Sequence, residues 1–238
     1  MTSVAPEEHS NAPLGKQRIS DAPEASGNRS VRALYLADPG PFGLAALALP
    51  LLAFSWINIG FAKPTALPVV ITTLLAYGAL GQLAVAMWEV LRGNMFGVVA
   101  FGTFGSFNLA LWYFLVHEVP KIPLAQLPAN QALFLAIWAI PAFILWMASF
   151  RTNLVINLIF MLATALFIVA AWGNGAGISG LVKASGWIGI ALAAVAWYGC
   201  ASALLKETFG RVILPIPELK GTPGSAHRPR KHLSPVGS

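Results

Sequence analysis

The sequence is short of charge. Only 10% of its 238 residues are Asp, Glu, Lys or Arg, against about a quarter in soluble domains. A chain that is also 57% hydrophobic cannot bury that much apolar surface in one water-soluble core, so a multi-span membrane protein is the default reading. Cysteine is nearly absent. The single Cys200 excludes an internal disulfide and, within an apolar run, reads as a small packing residue rather than a reactive thiol. Charge is missing where a pump would need it. Between Phe42 and Leu204 the only charged side chains are Lys63, Glu89, Arg92, Glu118, Lys121, Arg151 and Lys183, all at or near the ends of apolar runs. That argues against a buried carboxylate relay. No His/Asp/Glu cluster suits a metal and no Ser–His pair falls within a run, so the residues call for neither metal nor cofactor and speak against an intramembrane enzyme. The formal net charge of +6 does not indicate nucleic acid, because the basic residues are scattered singly at run ends and in the tail, with no aromatic-interleaved basic face. No secretory signal is expected: the first apolar run starts near residue 41 behind a polar stretch.

What is present is six apolar runs long enough to cross a bilayer as helices. They are expected at Pro41–Phe61, Leu67–Leu91, Phe96–Val116, Gln131–Phe150, Leu154–Trp172 and Ala184–Leu205. Barrel strands would alternate apolar and polar residues, and these runs do not. The fold class is therefore all-α, a polytopic six-helix transmembrane bundle, with short connections that make successive helices antiparallel neighbours. The domain plan is a disordered N-terminal tail over 1–37, a transmembrane unit over 38–214 and a disordered basic tail over 215–238. An even span count puts both termini on one side. With the termini inside, the inner flanks carry Arg29, Arg32, Arg92, Arg151, Lys206, Arg211 and Lys220, and the outer loops carry Lys63, Lys121 and Lys183. Positive residues favour the cytoplasmic side, so both termini are expected in the cytoplasm of a cell-membrane protein. The tail "HRPRKH", residues 227–232, adds charge on that side.

Uncharged polar side chains are the remaining chemistry within the spans. Gln82, Thr103, Ser106, Asn108, Asn153, Asn157, Thr164 and Asn174 need partners in hydrocarbon. They either bond across helices or line a path for a small polar solute. Glycine pairs (Gly78 and Gly81, Gly102 and Gly105, Gly186 and Gly189) allow helices to approach closely, within one chain or between subunits. Glu89 stands three residues before Arg92, which suits an interfacial ion pair; the alternative is a proton acceptor at the cytoplasmic mouth.

The stretch "DPGPFGLAALAL", Asp38 to Leu49, opens the first span with unusual punctuation. Asp38 can cap the helix, Pro39 and Pro41 suit its start, and Gly43 lets another backbone or a solute come near. Free N–H groups at a helix start attract anions, so this mouth is a candidate for holding a carboxylate. The same stretch resembles the N-P-A-P-L-G-L signature of the acetate uptake transporter family. "GQLAVAMWEVLRGNMFGVVAFGTFGSF" (Gly81 to Phe107), "AAWGNGAG" (Ala170 to Gly177), "SGWIGI" (Ser185 to Ile190) and "ETFGRVILPIPE" (Glu207 to Glu218) follow in the family's order, so the resemblance spans about residues 36 to 218.

The resemblance implies a six-span protein in a homo-hexameric ring, each subunit with its own path for acetate or a related monocarboxylate, sometimes succinate, with proton-coupled or channel-like transport. It places an apolar constriction at Leu47, Phe104 and Ala163 and a polar position at Gln82. It also marks departures: Asp38 stands where the family has Asn, Leu47 where Phe is common, Phe104 where Tyr is and Ala163 where Leu is. Smaller side chains at Leu47 and Ala163 should widen the neck. The expected partners are thus a small carboxylate, protons, the bilayer and further copies of the chain. The rival readings are ammonium export and a non-transporting membrane sensor or scaffold.

Overall fold

The computed structural model describes residues 36–219, and within them the chain runs as six helices long and apolar enough to cross a membrane. They are α1 (Gly40–Ile59), α2 (Pro64–Arg92), α3 (Met95–Lys121), α4 (Leu127–Ser149), α5 (Leu154–Gly175) and α6 (Ser179–Phe209). Each expected span is met by one of these helices. The tail expected over 1–37, apart from its last two residues, and the tail beyond Leu219 lie outside the described residues.

Local chemistry explains the boundaries. Asn94 accepts the Gly97 N–H at 3.2 Å and caps α3; Asn153 accepts the Ile156 N–H at 3.0 Å and caps α5. Asn153 is thereby a structural cap. Helices α1 and α2 end on Gly60 and Gly93 at φ 85° and 71°, a left-handed conformation that side chains with a Cβ rarely adopt. Helix α2 is not uniform: Leu74–Ala79 is π-helical. It faces Pro50, which interrupts α1 midway and leaves the Ala46 carbonyl without its helical donor. Irregular turns of this kind gather where a helix must shape a site.

Helix α6 packs along α1 and α5, α5 packs along α4, and α2 packs along α3 and α1. Helices α3 and α4 approach each other mainly through side chains. This order departs from simple sequential pairing, because α1 and α6 form a close pair. Glycines permit it: a Cβ on Gly186 would fall 2.8 Å from Ile59 Cγ2, and one on Gly189 would meet the Ser55 hydroxyl. All six glycines singled out in the sequence lie against side chains of this same chain.

The described residues after α6 run through Leu219 and so include residues 215–219 of the expected tail. Ser202 Oγ donates to the Leu214 carbonyl at 2.6 Å, the Tyr198 hydroxyl to that of Pro215 at 2.7 Å, and the Leu154 N–H to that of Pro217 at 2.9 Å. Proline-rich extended chain cannot continue a helix, and here its carbonyls are satisfied by polar groups of α6 and α5.

Candidate functional site: an internal cavity

An internal cavity of about 180 Å³ lies between the helices. Its lining starts near the helix ends away from the termini, at Asn58 of α1, Gln131 of α4 and Asn174 of α5. It runs inward past Ser55 and Asn108 to Leu47, Phe104, Ala163 and Leu192, near the middle of their helices. Leucine side chains and phenyl rings make up most of its walls. Phe107 packs edge-on against Phe167 at 4.9 Å and against Trp138 at 5.3 Å, while Phe114 stacks on Phe134 at 5.0 Å. None of the lining side chains ionises.

The structure thus brings together Leu47, Phe104 and Ala163. All three are buried, at 9%, 5% and 2% exposure, and belong to one apolar cluster. Phe104 stacks on Phe167 at 6.4 Å and tilts against Phe160 at 5.9 Å. On the terminus side of this level the cluster continues through Ala100, Phe160, Val155 and Ala196.

The polar residues divide. Asn108 lines the cavity; its Nδ2 donates to Gln82 Oε1 at 3.0 Å and to the Phe104 carbonyl at 2.9 Å. Gln82 stands behind it, 1% exposed, with Nε2 donating to the Gly43 carbonyl at 3.4 Å. So Gln82 touches the cavity wall only through Asn108, and the Gly43 carbonyl is its backbone acceptor while the Gly43 Cα lies close to the Phe101 ring. Asn174 lines the cavity and bonds back to the Ala170 carbonyl at 2.7 Å. Four candidates lie elsewhere. Asn157 bridges α5 to α4 by donating to Ser149 Oγ at 2.9 Å, and Thr164 bonds its own helix at the Phe160 carbonyl, 2.8 Å away. Thr103 is half-buried outside the cavity lining, and Ser106 is exposed along a shallow outer groove between α3 and α4. A helical register explains this: Thr103 and Ser106 flank Phe104 and Phe107, so they point away from the face those rings present.

Sequence reasoning did not single out Ser55, Asn58, Gln131 or Ser185, which also line the cavity. Ser55 is 2% exposed; its hydroxyl lies against Gly189 of α6 and makes no hydrogen bond with the described residues. The available signal was the spacing of Ser55 and Asn58 along α1, one turn apart and on one face with Leu51 and Phe54.

At the terminus end, Asp38 Oδ1 accepts the Gly40 N–H at 3.1 Å and the Arg92 guanidinium at 2.5 Å. Pro39 and Pro41 have no N–H, and the Gly43 N–H bonds the Pro39 carbonyl at 3.0 Å. The start of α1 therefore carries its own carboxylate where a solute anion was expected: Asp38 takes the Gly40 N–H and sets a negative charge against the partial positive charge there. Arg92 also reaches Glu89 Oε2 at 3.4 Å, the expected pair, but Glu89 is enclosed at 2% exposure and lies against Gly97 rather than at the surface.

A six-span membrane bundle holding a solute-sized cavity with no ionisable lining side chain has the architecture of the transporter and channel class. The chain belongs to the GPR1/FUN34/yaaH family, whose model matches residues 23–220. It is similar to the succinate-acetate/proton symporter SatP of Escherichia coli K12, with 33% identity over 185 residues, 77% of this chain and 96% of that protein. It is similar to acetate permease A of Emericella nidulans, with 30% identity over 224 residues, 87% of this chain and 75% of that one. Its fold matches the solved structure of the bacterial acetate channel SatP with a TM-score of 0.71 at 29% identity, over 76% of this chain and 99% of that chain.

Proposed function

We propose that this chain transports acetate or a related short carboxylate, succinate included, across a cell membrane, without enzymatic chemistry. The observation that carries the reading is the cavity itself, which is lined by leucines, rings and amides, holds no ionisable side chain and includes Leu47, Phe104 and Ala163 at its inner end; these three are read as its neck. A carboxylate is costly in such a neck and gains no counter-charge there. The acid therefore crosses with its proton, as the neutral species. Polar groups at the wide end (Asn58, Gln131 and Asn174) receive the solute, and the phenyl walls take its alkyl part. The names of the relatives support this substrate class.

The positive-residue bias supports cytoplasmic termini, which makes the wide end of the cavity the outer one. The outward apolar surface of α2, α4 and α6, including Met87, Leu91, Ile137, Ile144 and Trp187, supports contact with lipid and with further copies in a homo-hexamer. The test is uptake of labelled acetate into proteoliposomes holding only this chain. Protein-dependent uptake competed by other short acids supports the reading. Absence of uptake for every small acid overturns it and moves the search to ammonium or to a sensing role.

A further inference from the structure

Asn108 sits one helical turn before Phe104 on the way into the neck, at the level of Pro50 and Gly78: a Cβ on Gly78 would fall 2.9 Å from Asn108 Cγ and 3.1 Å from both Asn108 Oδ1 and Pro50 Cγ, so the bare glycine keeps the Oδ1 side of the amide uncrowded. A primary amide has two N–H donors and one carbonyl acceptor. Both donors of Asn108 are taken by protein, one by Gln82 Oε1 and one by the Phe104 carbonyl. Gln82 is held in turn by donating to the Gly43 carbonyl. This chain of bonds runs one way, from the cavity wall toward the backbone of α1, and it fixes which end of the Asn108 amide is committed. The capacity left is Oδ1 as an acceptor, since both bonds the described residues make with this amide use Nδ2.

Two turns further out along α1 from the level of Leu47, Ser55 presents a hydroxyl with no protein partner. A hydroxyl both donates and accepts, so Ser55 can hold a carboxylate or an acid. Asn108 cannot do both: a carboxylate offers only acceptors and would meet Oδ1 lone pair to lone pair, whereas the undissociated acid offers one O–H. No ionisable side chain intervenes. On α2, Tyr77 packs on Phe42, and Glu89 pairs with Arg92 at the far end of the helix; α1 and α3 bring no charged group to this level.

Resting on the transport reading above, we propose that Asn108 reads the protonation state of the solute, its carbonyl oxygen accepting the O–H of the neutral carboxylic acid at the top of the neck and turning the carboxylate back. The proton stays on the acid throughout, so no side chain titrates in the step.

The test uses the full chain in proteoliposomes, with protein-free vesicles subtracted to remove diffusion of the acid through lipid. Labelled acetate uptake is measured at about pH 6 without a gradient, against excess acetamide, which is neutral and carries N–H donors, and against excess trifluoroacetate, which stays ionised. Acetamide inhibits and trifluoroacetate does not. In addition, the initial rate at fixed total acetate falls about tenfold per pH unit above the pKa of acetic acid, tracking the neutral fraction. Asn108→Leu, checked for intact assembly by its elution in detergent, loses both about tenfold of the uptake and the inhibition by acetamide. Trifluoroacetate competing as well as unlabelled acetate does, or a rate that follows total acetate rather than the neutral fraction, overturns the inference while transport stands. Absence of protein-dependent uptake overturns the transport reading and this inference with it.

Discussion

The Arg92 guanidinium lies 2.5 Å from Asp38 Oδ1 and so ties the last turn of α2 to the residue that opens α1. It also serves the enclosed Glu89, whose side chain is 2% exposed, against 59% for that of Asp38. The two carboxylates therefore depend on Arg92 to very different degrees. Asp38→Asn keeps a capping oxygen and gives up only an exposed pair, so it costs less than about 1 kcal/mol. Arg92→Leu leaves Glu89 buried without its cation and costs about 3–5 kcal/mol. Thermal unfolding of the two variants in the same detergent checks the order, and an equal loss contradicts it.

Ala163 is the smallest of the three buried cavity-lining residues proposed as the neck. Ala163→Leu adds bulk there and slows butanoate more than acetate, raising the acetate-to-butanoate rate ratio at least about threefold. Overpacking costs about 1–3 kcal/mol of stability, so both rates are compared in the same vesicles. Equal slowing of the two acids removes Ala163 from the neck.

Gly78 leaves room for Asn108 and Pro50. Gly78→Ala displaces the Asn108 amide, and acetate uptake falls about tenfold while the protein still assembles. Uptake at the parent rate, measured with a monodisperse sample, shows that the Asn108 position is not critical.

Asn157 is a strut between α5 and α4 away from the cavity. Asn157→Leu removes an interhelical bond of about 0.6 kcal/mol and leaves the preference among acids unchanged. A changed preference, read by competition between acetate and succinate, puts Asn157 on the path.

Much of the bundle was legible because lipid imposes a simple rule: an uncharged apolar run of this length becomes a helix. The close pairing of α1 with α6 was not, since it rests on Gly186 and Gly189 finding Ser55 and Asn58 across the whole chain. At the site, the depth of Leu47, Phe104 and Ala163 followed from motif position, while the polar residues could not be sorted by type alone. Asn108 and Asn157 look alike in sequence, yet one faces the cavity and the other bonds Ser149, a difference set by helix rotation. Asp38 was read as a cap; it stands one residue before Pro39, the N-cap of α1, and its Oδ1 accepts the Gly40 N–H. That it also recruits Arg92, 54 residues on, follows only from the packing of α1 on α2.

The most direct measurement is the pH inside proteoliposomes during acetate uptake, with the membrane potential clamped at several values. Transport of the neutral acid acidifies the lumen by one proton per acetate and runs at a rate indifferent to the potential. Uptake that follows the potential and leaves the internal pH unchanged would mean that the carboxylate itself crosses the neck, and would contradict the account.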